Sequence, residues 1–319
     1  MKGFIRVLGG EIPAADAGVV YAHEHLIIDS PLVAQRWPHI HLPSVDEGAE
    51  EVRTCVRAGV RTMVDAMPAA SGRDPERLAR ISILTGIRIV ACTGLHTSKY
   101  YEDVEWAQTE SAHQLARRFV ADIEIGIDRH DYLGPEPDRT NVRAGIVKAG
   151  SLTEELSGRD RRLFEAVAMT SAETGVPILT HTEGGRGGLI QIRELLGHGV
   201  AADRIALSHT DKVDDPGYHR EMLSSGVYLC YDQALRWQEG NQTAGLIARM
   251  AAEGFVDRIL VGTDGARRSL WKTLGGKPGL AWLHEGFPPL LADRGLREED
   301  IRRLFVDNPA RYLTLDSGG

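Results

Sequence analysis

Eight short apolar runs, each separated from the next by a longer intervening stretch, constrain this chain more than any other feature. The first is Val19-Val20-Tyr21-Ala22, which leads into His23-Glu24-His25-Leu26. The others cover residues 61–67, 88–93, 144–149, 177–181, 204–209, 227–231 and 258–263. Helical patterns lie between them at 74–85, 110–125, 159–174, 188–196, 216–224 and 243–253. Gly86, Gly126, Gly175, Gly226 and Gly254 stand where helix C-caps want glycine. Strand then helix, repeated, predicts a parallel sheet, and eight such units close into an α/β fold, the (β/α)8 TIM barrel. An open doubly wound sheet is the rival, but it usually shows a G-x-G-x-x-G turn after its first strand, and none stands here. Residues 3–18, with Gly9-Gly10, predict a short N-terminal hairpin; 298–315 predict a C-terminal helix that stops near Asn308-Pro309. No linker or low-complexity tract breaks the pattern, so one domain is expected over 1–319.

Composition narrows the function classes. Hydrophobic residues at 42% and charged residues at 26% are ordinary for a globular protein, and no apolar run approaches the roughly 18 residues of a membrane helix. The start, Met1-Lys2-Gly3-Phe4-Ile5-Arg6, lacks the apolar core of a secretory signal. Cys55, Cys92 and Cys230 are an odd count without C-x-x-C spacing, which predicts reduced thiols and a cytoplasmic location. A net charge of −8 argues against a nucleic-acid partner, while leaving room for a small anionic ligand in a locally basic cleft. A homodimer is a candidate assembly that the sequence leaves open.

The strand ends carry the chemistry. Alternation along a strand sends positions i and i+2 the same way, so His23 and His25 project together. Lys148 stands at the end of the fourth run, His181 of the fifth, His209 of the sixth and Asp264 of the eighth. Each alone has an ordinary explanation as a packed or hydrogen-bonded core residue; the set at matching positions points to metal. Lys148 looks wrong for a cation site, because an ammonium repels a metal. Reaction with carbon dioxide makes it a carbamate, an anion with two oxygens. Six ligands are too many for one tetrahedral zinc with an open position. They suit two divalent ions bridged by the lysine and by a hydroxide. Nitrogen and oxygen donors suit zinc first, with manganese, cobalt or nickel open.

This arrangement resembles the phosphotriesterase family of the amidohydrolase superfamily over nearly the whole chain. The matching pieces are His23-Glu24-His25, Lys148, His181, His209 in Ser208-His209-Thr210-Asp211, Asp264, and the closing Asn308-Pro309-Ala310-Arg311. Asp264-Gly265-Ala266-Arg267-Arg268-Ser269 with Gly275-Gly276 looks most like the branch of phosphotriesterase homology proteins and phosphotriesterase-like lactonases. Some of that branch have glutamate at the bridging position; this chain keeps lysine. The resemblance implies that His23, His25 and Asp264 hold one metal and His181 and His209 the other, with carbamylated Lys148 between.

The expected reaction is hydrolysis by the metal-bridging hydroxide, with Asp264 as proton shuttle to the leaving oxygen. For the substrate, Arg236 and Arg267 beside the ligands are the first candidates to bind an anion; Arg268, Arg186 and Lys212 are weaker ones. His96, in Thr93-Gly94-Leu95-His96, is a candidate to face the cleft, with an ordinary loop histidine as the alternative. Some relatives of the branch hydrolyse phosphorylated sugar lactones, holding the phosphate with basic residues after the seventh and eighth strands, where Arg236 and Arg267 fall. The expectation is therefore a lactonase for a phosphorylated or otherwise anionic sugar-type lactone. A phosphotriesterase or carboxylesterase with a broad pocket is the alternative, and a non-catalytic metal-binding barrel a remote one.

Overall fold

A computed structural model describes residues 3–237 and 240–316. A two-stranded antiparallel hairpin, β1 (Phe4–Val7) and β2 (Gly10–Pro13), opens the chain. Eight strands follow: β3 (Val19–Glu24), β4 (Val60–Asp65), β5 (Arg88–Gly94), β6 (Ala144–Ser151), β7 (Ile178–Thr182), β8 (Ile205–Ser208), β9 (Tyr228–Tyr231) and β10 (Ile259–Val261). They pair in sequence order, every ladder parallel. The two ends of the sheet meet where the amides of Thr263 and Asp264 donate to the carbonyl of His23, at 3.2 and 3.0 Å. The result is a nearly closed barrel with helices outside, as the alternation of the sequence predicts. Among the described residues no helix is long and apolar enough to cross a membrane.

Burial follows the two-residue period of the strands. One buried cluster holds Val20 and Ala22 of β3, Val64 of β4, Val90 and Cys92 of β5, Ile146 of β6, Leu179 of β7, Ala206 of β8, Tyr228 and Cys230 of β9, and Leu260 of β10. That is the barrel interior. Their neighbours Tyr21, Met63, Ile89, Val147, Ile178, Leu207, Leu229 and Ile259 belong to a second cluster, packed beneath the helices. Ile5 and Val7 of the hairpin and Ala310, Tyr312 and Leu313 of the tail join the interior cluster and plug its lower end.

Helix boundaries match their caps. The stretch Pro75–Thr85 starts on Asp74, whose side chain accepts from the amide of Arg77, and ends on left-handed Gly86; Gly158–Thr174 ends likewise on Gly175. The tail differs from the expectation. Asn308-Pro309 does not stop the last helix but starts one: Glu298–Arg302 is followed by a π-helical stretch, Arg303–Asp307, and then by Asn308–Leu313. Proline is harmless in that first turn, where its missing N–H has no partner to lose. Asn308 Nδ2 donates to the carbonyls of Val256 and Ile259, each at 2.8 Å, tying the tail to β10.

Candidate metal centre

Continued along β6 and β7 and just past β9 and β10, the inward phase places Lys148 after Ile146, His181 after Leu179, Asp232 after Cys230 and Asp264 after Leu260. Three of the expected ligands, His23, His25 and His209, break it. His23 follows the inward Ala22 directly, and it turns inward because the β3–β4 register is irregular between Tyr21 and Glu24. His209 follows inward Ser208 and reaches the site with φ of 67°. Asp264 also has positive φ, 45°, a conformation uncommon outside glycine and concentrated at functional sites. Gly262 makes the seam possible: a Cβ there would lie 2.7 Å from both the N and O of His23. Buried Glu24, between the two histidines in sequence, accepts from the amide and the hydroxyl of Thr263 and so holds the residue before Asp264. Burial pushes its carboxyl up to about 8.

The imidazoles meet in pairs. His23 Nε2 lies 3.3 Å from His25 Nε2, and His209 Nε2 lies 3.0 Å from His181 Nδ1. Their outer nitrogens are held by carboxylates: His23 Nδ1 by Asp232 Oδ2 at 2.9 Å, His209 Nδ1 by Asp232 Oδ1 at 2.8 Å, and His181 Nε2 by Glu183 Oε2 at 3.0 Å. Burial would raise the Asp232 carboxyl, but His209 and His23 outweigh it and hold it well below the usual range. The hydrogen bond from His181 brings Glu183 down to about 2. Both are carboxylates and therefore accept, so the rings must donate outward. His209 Nε2 and His181 Nδ1 then face each other as two lone pairs at 3.0 Å. That contact calls for a cation. His25 Nδ1 is buried without a partner among the described residues.

Electrostatics agree with a metal-ready site. Burial lowers His23 to about 4 and His181 to about 3, and holds His25 well below its usual range. These imidazoles are neutral at pH 7, the form that ligates. Burial also lowers Lys148, whose Nζ donates to the carbonyl of Ala66 at 2.9 Å. For Asp264 burial acts upward, but Arg236, then His209 and His23, hold it below the ordinary range. Asp264 Oδ1 lies 3.7 Å from His25 Nε2, and Oδ2 lies 3.8 Å from His209 Nδ1. His23, His209 and Asp264 each bring a ligand atom within 4.8 Å of one another. The donor set fits divalent metal.

Above it lies a cavity of about 250 Å³. His25, Lys148, His181, His209 and Asp264 line its floor, with Lys99, Lys212, Arg236 and Arg267 around it and Trp37 and Tyr100 as an aromatic wall. The Trp37 and Tyr100 ring centroids are 4.9 Å apart. His96, left open between cleft and loop by the sequence, lines this cavity, with its ring 4.4 Å from His181 and 4.6 Å from Tyr100.

The arginine expectations need correction. All four Nη hydrogens of Arg236 are committed inside the protein: Nη1 to the carbonyls of Asp232 and Thr263, Nη2 to the carbonyl and Oδ2 of Asp264. Its fork is a clamp on Asp264, with only Nε–H left over. Arg268 turns away to donate to the carbonyl of His41 at 3.0 Å and faces Glu47 at 4.0 Å. Arg186 is paired at the surface with Glu154. Arg267 lines the cavity, exposed, with no side-chain partner among the described residues. Sequence reading missed Asp232, Glu183, Lys99, Trp37 and Tyr100. Asp232 had a signal, since it continues the inward phase of Tyr228 and Cys230; the others sit on loops without one.

The sequence profile of the Phosphotriesterase family matches residues 5–313. Phospho-furanose lactonase of Mycoplasmopsis synoviae is 30% identical over 325 residues, covering 98% of this chain and 92% of that protein. The crystal structure of an amidohydrolase from Mycoplasma synoviae superposes with a TM-score of 0.94 at 28% identity, over 100% of this chain and 94% of that one. That of a lactonase from Listeria monocytogenes gives 0.89 at 28% identity, over 98% and 100%. The histidines and carboxylates that converge at the barrel mouth and these full-length likenesses agree: the chain belongs to the Phosphotriesterase family, a family of binuclear metal hydrolases, and is itself a hydrolase.

Proposed function

We infer that this hydrolase is a lactonase that opens a small anionic lactone, a phosphorylated sugar-type ring being the best fit. The observation that carries the reading is the unpaired Arg267, with Lys212 and the charge of Arg236, around the same small cavity as the metal ligands in a chain of net charge −8. A cavity of about 250 Å³ lies just below the roughly 300–1,000 Å³ usual for ligand sites and suits a compact substrate. The name of the Mycoplasmopsis synoviae relative, phospho-furanose lactonase, supports the same class.

His23, His25 and Asp264 would hold one divalent ion and His181 and His209 the other, with Lys148 as its carbamate between them. Zinc suits the donors first, with manganese, cobalt and nickel next. When bound, such ions supply an activated water and a Lewis acid for the lactone carbonyl. The residues of the chain do the rest. Asp264, ionised and held at Oδ2 by Arg236, keeps Oδ1 for the proton released as water adds, and returns it to the ring oxygen as the C–O bond breaks. Arg267 and Lys212 bind the anionic substituent, and Tyr100 and Trp37 cover the ring and exclude water.

A broad-pocket phosphotriesterase or carboxylesterase remains the second reading, favoured by Ile28, Ile40 and Met67 beside the aromatic wall. The test is a screen of metal-loaded protein against lactones matched except for a phosphate. The anionic member should be the better substrate by at least about 10-fold, the weight of one charge-assisted bond. Faster turnover of neutral esters or phosphotriesters would reverse the order of the two readings.

A further inference from the structure

One carboxylate touches both halves of the metal centre. Asp232 is fully buried and accepts His23 Nδ1 on Oδ2 and His209 Nδ1 on Oδ1. Its remaining capacity is filled by the amide of His209 on Oδ2 at 3.2 Å and by Gln233 Nε2 on Oδ1 at 2.6 Å. Both histidines leave the inward phase of their strands, one through a register irregularity and one through positive φ. Their backbones alone therefore do not settle where the rings point. Glu183, by contrast, accepts from only one of the four ligand imidazoles, that of His181.

We propose that Asp232 is a positioning residue that ties the two metal half-sites together, fixing through one carboxylate the ring orientation and tautomer of His23 in one and His209 in the other. With the proton of each ring on Nδ1, both Nε2 atoms carry lone pairs into the site. The inference rests on the two-metal reading above. Its consequence is asymmetric. Loss of Asp232 weakens both half-sites, whereas loss of Glu183 weakens only the His181 side. Carboxylates behind ligating histidines typically change metal affinity by about 10–100-fold. Asp232→Asn is a severe test despite its similar shape, because an amide offers one acceptor face and one donor face. Whichever way it turns, one imidazole meets an N–H and must move its own proton to Nε2, which removes that lone pair from the metal.

Two measurements test this without reference to turnover. Metal titration monitored by calorimetry, with chelator competition, should resolve two sites in the wild type. Asp232→Ala, which removes both acceptors, should weaken both by about 10–100-fold, and Asp232→Asn at least the one whose ring meets the N–H, while Glu183→Gln should weaken one and leave the other within about twofold. Asp232→Ala with either site at wild-type affinity, or Asp232→Asn with both, would overturn the proposal. Nitrogen-15 histidine spectra of the metal-free wild type give the second readout and need no variant to fold. His23 and His209 should carry their proton on Nδ1 and His181 on Nε2; His23 or His209 protonated on Nε2 would refute it. A wild type that binds only one ion would instead sink the two-metal reading and leave the tautomer result standing.

Discussion

Arg236 and Arg267 both line the cavity, yet the structure gives them different work, and replacing each by methionine separates the two. Arg267 has no protein partner among the described residues, so its removal takes away one charge-assisted bond to an anionic substrate and little else. Such a bond contributes about 1.5–3 kcal/mol, which is roughly 10–150-fold in kcat/KM for a phosphorylated lactone. A matched neutral lactone should change by less than about threefold, since nothing it touches has been lost. Arg236 instead holds Asp264 Oδ2 at 2.8 Å and three carbonyls at the ends of two strands. Its loss frees the carboxylate that moves the proton for every substrate. The same 1.5–3 kcal/mol then falls on neutral and phosphorylated lactones alike, about 10–150-fold each. The assay is steady-state kcat/KM on the matched pair, with metal content measured for each variant. If Arg236→Met harmed only the phosphorylated lactone, the clamp argument would fail. If Arg267→Met harmed both equally, the anion-reading role would fail with it.

Lys148→Ala should lose metal and activity together, with short carboxylic acids partly restoring both; full activity in that variant would exclude the bridging carbamate. Asp264→Asn should reduce kcat by roughly 10²–10⁴-fold with metal content measured alongside, and near-normal turnover with both ions bound would exclude the proton shuttle. The metal-free protein should lose stability as pH falls from about 6.5 toward 4. Burial depresses His23 to about 4 and His181 to about 3, so the unfolded chain takes up protons that the folded one refuses. Each such proton adds a slope of up to about 1.4 kcal/mol per pH unit, and a flat denaturation midpoint across that window would contradict it.

The barrel and the cluster of histidines and acids at its mouth were legible because both are written in local periodicity. Apolar runs of strand length alternate with helical ones, and Lys148, His181 and Asp264 stand two or four residues beyond an inward-facing strand residue. Extending that count to the seventh strand would have found Asp232 two residues after Cys230. Strand and helix ranges ran one or two residues off at several ends: the last barrel strand stops at Val261, before Thr263, because the chain turns there to bond to His23 and Glu24. The tail helix was misread at Pro309 because a proline in a first turn and a proline that ends a helix look the same in one dimension.

The sequence by itself determined the architecture and which side chains gather at the barrel mouth, since residue type and spacing carry that information within a single strand. Only the tertiary structure decided how they are held. Arg236 and Arg267 are equally basic and equally near a strand end in sequence, but β9 and β10 bring Arg236 onto Asp264 and leave Arg267 facing the cavity. Arg268, next to Arg267, is drawn to His41, 227 residues away in the chain. Asp232 meets His23 across 209 residues and His209 across 23. Hydrogen bonds of such separation form only when the barrel closes, so no local pattern records them.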